Sequence, residues 1–259
     1  MRSKNLIPFL AAIGLLFSIA SCEKETEEFQ TDAIADYMPL SAGKYITYRL
    51  DSTVFTNFGT VQEIHRYQVK HVVDAQIPDN LGRPSYRILR YLNDSLASGS
   101  WVENGTYFIT PLADQVEVIE DNLRFIKLHM PFKLNNDWKG NKYLSDDPYA
   151  SLYTFFNDDN MNEWDYSMDE FDDTRTIGSQ PVNNVYTVFQ MDESINAPVT
   201  NFTQPGYRTL ASDRFAKGIG LVTRDYIMWE YQPPPPGSPP SAKGFTTGFG
   251  IKMWMIDHN

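Results

Sequence analysis

Residues 61–73 read VQEIHRYQVKHVV. Val61, Tyr67, Val69 and Val73 fall on one side of an extended chain, and Gln62, Arg66, Gln68 and Lys70 fall on the other. A period of two is the mark of a half-buried β-strand. The same alternation returns upstream in KYITYRLDSTVF (44–55), where Ile46, Tyr48, Leu50 and Val54 share a face. It returns downstream in YRILRYL (86–92), YASLYTFF (149–156), NVYTVFQMDE (184–193), GLVTRDYIMWEY (220–231) and GFGIKMWMIDH (248–258). In SWVENGTYFIT (100–110), Asn104-Gly105 stands between two β-rich runs and predicts a hairpin turn, since both residues tolerate positive φ. QVEVIEDNLRFIKLHM (115–130) repeats that design around Asp121-Asn122.

Helical periodicity is scarce. Its best candidate is YRTLASDRFAK (207–217), stopped by Gly218. The expected fold is therefore mainly β, with at most one or two short helices. About eight to eleven strands joined by hairpins imply an antiparallel β-sandwich, or a strongly curved sheet closing towards a half-barrel. A curved sheet could enclose an apolar cavity, whereas a sandwich fills its own interior.

The front of the chain has a different character. Arg2 and Lys4 precede an almost wholly apolar run from Leu6 to Ala20. That is the layout of a secretory signal, and the run is short of the ~20 residues that span a bilayer. Cys22, the single cysteine, follows Ala20-Ser21, and Glu23, Glu25, Glu27 and Glu28 come next. Residues 1–21 thus read as a signal peptide, 22–36 as an acidic flexible tether reaching roughly 20 Å, and 37–259 as one β-rich domain. A lone cysteine allows no intramolecular disulfide.

Net charge is −11 over 259 residues, and −13 once residues 1–21 are set aside, with 20 Lys+Arg against 33 Asp+Glu. Such a chain is a poor partner for nucleic acid. It would also be repelled by an anionic membrane surface, so any attachment there must come from a lipid.

Ile19-Ala20-Ser21-Cys22 resembles a bacterial lipobox. The resemblance implies cleavage before Cys22 and a diacylglyceryl thioether on its sulfur, enough acyl chain for stable anchoring. The acids that follow resemble the export signals of surface lipoproteins of the Bacteroidota. They imply an outer-membrane address, the cell surface being favoured over the periplasmic face. YMPLSAGKYITYRLDS (37–52) and FAKGIGLVTRDYIMWEY (215–231) look like envelope lipoproteins of the same group with no assigned activity. The group's O-glycosylation pattern, Asp followed by Ser or Thr and a small or aliphatic residue, matches at Ser52 and Ser95.

Catalytic motifs are missing. The sequence has no G-x-S-x-G elbow, no H-E-x-x-H, no P-loop and no dinucleotide fingerprint, and no cofactor is expected. His65 and His71 lie six apart in one predicted strand, about 20 Å from each other, too far for one metal ion. The acidic stretch NDDNMNEWDYSMDEFDD (157–173) sets Asp158, Asn160, Asn162 and Asp169 at positions 1, 3, 5 and 12 of a calcium loop. Glu163 replaces the turn glycine and Asp169 the final glutamate, so a solvated loop is expected and no metal is favoured.

Aromatic residues are the better lead. Trp164 and Tyr166 lie inside the acidic stretch, and Trp229 and Tyr231 precede QPPPPGSPP, a segment expected to protrude as a stiff polyproline connector. Aromatic faces beside carboxylates suit sugars, through C–H stacking and hydrogen bonds to hydroxyls. The sequence supports an outer-membrane lipoprotein that binds a glycan, lipid or other apolar ligand without catalysis. It also leaves open a structural subunit docking an outer-membrane protein partner, or a hydrolase built on carboxylates.

Overall fold

In a computed structural model of the chain, residues 32–156 and 160–259 are described. The lipobox, Cys22, the acids after it and Asp158 lie outside the described residues. Among the described residues no helix is long and apolar enough to cross a membrane.

One antiparallel sheet of twelve strands forms the body. The first six are β1 (Tyr45–Thr56), β2 (Val61–Pro78), β3 (Pro84–Asp94), β4 (Val102–Pro111), β5 (Gln115–Glu120) and β6 (Leu123–His129). The second six are β7 (Asp137–Lys139), β8 (Asp165–Ile177), β9 (Gln180–Ile195), β10 (Gly206–Ala216), β11 (Gly220–Gln232) and β12 (Phe245–His258). Their spatial order is 6-5-4-3-2-1-12-11-10-9-8-7. The chain therefore makes a full circuit, each strand beside its sequence neighbour. β12 returns to pair with β1, from Ile46 opposite His258 to Thr53 opposite Gly250.

The open side of the circuit lies between β6 and β7. It is drawn together by the Ile126 amide donating to Gly140 O (2.8 Å) and the Trp138 indole donating to Ile126 O (2.8 Å). The Asn136 side chain donates to His129 O (3.1 Å) and Pro131 O (3.0 Å) across the same corner. The result is a nearly closed, barrel-like sheet, the curved alternative of the two expected folds.

A circuit of this many strands leaves a lumen when it is round. Here the lumen is filled. A short helix, α1 (Ile34–Tyr37), sits at one end, with Tyr37 stacked on Phe132 (4.6 Å) and edge-on to Tyr186 (5.3 Å). Ile34 and Tyr37 are buried, so the folded body starts before residue 37 and takes in the end of the predicted tether. The long connection between β7 and β8 brings Tyr149, Phe155, Met161 and Trp164 into the same core.

Several expectations need correction. Residues 207–216 belong to strand β10, not to a helix, and Lys217 lies in the turn after it. Thr209, Ala211, Asp213 and Phe215 alternate inward, but three of the four are small or polar, so the period of two is masked. Asn104-Gly105 lies within β4, where the two residues stand opposite the single Arg90, a β-bulge with Gly105 at φ +105. Asp121-Asn122 does form the predicted turn, both residues at positive φ between β5 and β6. Residues 149–156 are irregular. β7 and β8 pair directly, Trp138 opposite Tyr166, and leave the segment between them no strand to join.

Candidate functional site

An open cleft of about 1240 Å³ lies at one end of the sheet circuit. Three connections wall it: the β1–β2 hairpin, the β9–β10 loop and the proline-rich β11–β12 loop. Its floor is aromatic. Trp229 and Tyr231 stand two residues apart on β11, about 7 Å along the strand and on one face. Phe55 on β1 meets the Trp229 ring at 6.5 Å and 64°, and Phe202 meets Tyr231 at 6.2 Å and 80°. The Tyr231 hydroxyl donates to Phe202 O (3.1 Å), which fixes the β9–β10 loop to the floor.

Asn196 organises that loop. It sits at φ +48, its Nδ2 donates to Asn201 O (2.8 Å), Gln204 O (3.3 Å) and Pro205 O (3.4 Å), and its Oδ1 accepts from the Thr200 and Asn201 amides (3.1 Å each). Prolines 233–240 do not run as one extended rod. The Ser238 amide donates to Pro235 O (3.1 Å) and the Ala242 amide to Pro239 O (2.8 Å), so two turns fold the segment back into a wall. Polar groups are interleaved, among them Thr60, Gln62, Thr203 and Ser238. At the rim, Phe58, Phe202 and Phe245 are 96, 65 and 44% exposed.

Trp229 and Tyr231 both line the cleft, Trp229 half-buried and Tyr231 6% exposed beneath Gly244 and Phe202. Trp164 and Tyr166 are elsewhere. They are 3 and 1% exposed and pack in the core, Tyr166 donating from its hydroxyl to Asn141 Oδ1 (2.7 Å). The acidic stretch is not one loop: Asn160 and Asn162 lie at a 3-10 turn (Met161–Glu163), and Asp169 belongs to β8. Asn160 and Asn162 thus share one turn while Asp169 stands on the strand, and no group of three or more His, Cys, Asp or Glu placed to hold a metal occurs among the described residues. β8 alternates Tyr166 and Met168 inward against acids pointing out, which is how so acidic a run forms a strand.

A second, small cavity of about 70 Å³ lies inside the sheet beneath α1. Beside it the lumen holds a buried ionic cluster. Asp213 accepts from Lys127 (3.0 Å) and Arg224 (2.8 Å), and Glu120 accepts from Arg224 (3.1 Å) and Arg90 (2.9 Å). Burial pushes the Asp213 carboxyl up, but the Arg224 and Lys127 charges hold it down at about 2. Burial pulls the Lys127 ammonium below its usual range. These carboxylates are neutralised and hydrogen-bonded in place, the condition under which buried charge is tolerated.

His71 lines the same cavity, bonded to the Tyr107 hydroxyl at 3.0 Å, and burial lowers its pKa to about 4. His65 is exposed and pairs with Glu63 at 2.9 Å. Ser52 is half-buried in β1 between Ile251 and His65. Ser95 is half-buried in the turn after β3, where its carbonyl accepts from Arg49 and Gln68.

Phe55, Phe202 and Asn196 were not singled out in the sequence. Phe55 ends an alternating strand and looks like core, and nothing local marks Asn196 as a loop hub.

No protein-family model matches the chain, and no curated protein matches it. Among solved structures it is similar to a candidate outer membrane lipoprotein-sorting protein domain from Vibrio parahaemolyticus, at 9% identity and a TM-score of 0.19, over 84% of this chain and 85% of that one. It is also similar to a DUF1329 family protein from Desulfovibrio piger, at 11% identity and a TM-score of 0.18, over 85% of each chain.

Proposed function

We propose that this chain is a non-catalytic binding lipoprotein that takes a glycan into the cleft floored by Trp229 and Tyr231. One observation carries the reading: the cleft presents the half-buried Trp229 ring, braced by Phe55 and set beside the buried Tyr231, among interleaved hydroxyl and amide groups. Aromatic faces stack on the C–H face of a sugar while the polar groups take its hydroxyls. Its volume exceeds the ~300–1,000 Å³ of ordinary small-molecule sites and suits a chain of several units. The lumen cavity is far below that range, so a carrier of long acyl chains inside the sheet has less support.

In this reading Cys22 bears the lipid, on the strength of its lipobox-like context, and the protein sits at the outer membrane with the cleft facing the cell exterior. The acids after Cys22 support that orientation by resemblance. Capture near the membrane is then the whole task, and the tether limits its reach.

Intrinsic tryptophan fluorescence of the full chain, titrated with oligosaccharides of four to ten units, tests the reading. Saturable quenching, lost in Trp229→Ala with the unfolding midpoint within a few degrees of wild type, is the expected outcome. Absence of quenching across neutral and charged oligosaccharides would overturn it and turn attention to the exposed rim phenylalanines as a protein-docking surface.

A further inference from the structure

We infer that the cleft's ligand is an anionic glycan, a chain carrying carboxylate, sulfate or phosphate groups; this rests on the glycan reading above and narrows it. The chain has 33 acids and 22 Lys and Arg. The cleft lining inverts that balance. Among the described residues its charged lining is Arg208 and Lys243, with no Asp or Glu.

The two cations flank the aromatic floor from opposite walls. Arg208 lies on β10, opposite Trp229 in the sheet register. Lys243 lies on the proline-rich loop, directly before Gly244, whose backbone is packed against the Tyr231 ring. Lys243 is exposed, and among the described residues no carboxylate lies within ion-pair distance of it. Arg208 is held in position. Its Nη1 donates to Asp192, to Glu193 O (3.1 Å) and to Thr209 O (3.3 Å). These contacts all run through one nitrogen; Asp192 offsets the Arg208 charge, so Lys243 supplies the uncompensated charge, and Arg208, its side chain 22% exposed, offers a ligand hydrogen bonds from the rest of its guanidinium. A planar fork of that kind is suited to carboxylate, sulfate or phosphate oxygens.

Charge also bears on arrival. An acidic protein repels an acidic polymer at long range, and a cationic aperture bounded by low-dielectric aromatic walls focuses the attraction at one place. A neutral ligand would gain from Lys243 a hydrogen bond to a hydroxyl oxygen and no charge attraction. An anionic one gains a contact with no protein carboxylate to displace.

The test compares oligogalacturonate, a sulfated heparin-derived oligosaccharide and uncharged malto-oligosaccharide of matched length, titrated calorimetrically into the full-length protein in detergent. At least one anionic probe should bind about tenfold tighter than the neutral one, with affinity falling as salt is raised. Lys243→Glu should remove most of that preference, and Arg208→Gln should weaken it. Lys142→Glu, an equal charge change at an exposed site on the β7–β8 connection, should leave it intact. Equal binding of charged and neutral probes, or equal loss in Lys142→Glu, would overturn the anionic assignment while leaving the glycan cleft standing. Binding of none of the three would overturn both.

Discussion

The ring of Tyr166 occupies the space that a side chain on Gly140 would need. A Cβ built at residue 140 would fall closer than 3.0 Å to three of the ring carbons. The contact matters because Gly140 O accepts the Ile126 amide across the open side of the sheet, and the Trp138 indole, two residues back, donates to Ile126 as well. Glycine here is a matter of close approach and not of backbone angle. It lets an aromatic from β8 lie flat beneath the point where β6 and β7 are drawn together.

Gly140→Ala should therefore lower stability by about 2–3 kcal/mol through overpacking. Urea denaturation followed by tryptophan fluorescence would measure it. Hydrogen exchange at the Ile126 amide should rise more than exchange in β10 or β11, since the damage is local to the seam.

His71 makes stability depend on pH. Its folded pKa is depressed to about 4, chiefly by burial. In the unfolded chain it takes a proton near 6.5, so between those values the unfolded state binds more protons and stability rises with pH. The contribution is fully present above about 6.5, lost as pH falls to about 4, and worth about 3 kcal/mol. The groups facing His71 are Tyr107 and Tyr48, with Glu120, Arg90 and Arg224 behind them. Their carboxylate, Glu120, is itself depressed and adds its own loss only at the acid end. His71→Gln, able to keep a bond to Tyr107, should flatten the unfolding free energy between pH 4.5 and 6.5 in a series of denaturant melts.

Asn196 offers a way to loosen the cleft without touching a ring. Asn196→Ala removes five hydrogen bonds to loop backbone and leaves alanine at a left-handed φ. Stability should fall by about 1–3 kcal/mol. Affinity for the cleft's ligand should fall with it, because Phe202 loses its fixed position. Gly at the same position should restore part of the stability and none of the ordering. Titration of both variants against a common oligosaccharide would separate the two effects.

Sequence alone reached the β class and most strands because charged and apolar residues alternate cleanly along β1, β2, β9, β11 and β12. It failed where the inward face is polar. β10 points Thr209 and Asp213 into the lumen, and Asp213 is there to meet Lys127 from β6, a partner 86 positions away in the chain. No local pattern signals such a contact. The same limit applies to the aromatics. Trp164 and Trp229 each sit beside a glutamate and two residues before a tyrosine, yet one is carried into the core by the β7–β8 connection to which it belongs and the other floors a cleft. That difference depends on which loops cross above them, and loop paths are set by strand order.

The pairing of β12 with β1 also governs how the molecule must be made. β1 ends at residue 56 and its second partner begins at 245, so roughly 10–40 s of translation separates them at ~5–20 residues per second. Throughout that interval β1 has one side hydrogen-bonded to β2 and the other bare. A bare strand invites pairing with any extended chain nearby. Early hairpins are thus a hazard to a nascent protein of this topology, and the hazard ends only when β12 is delivered and covers the bare side of β1.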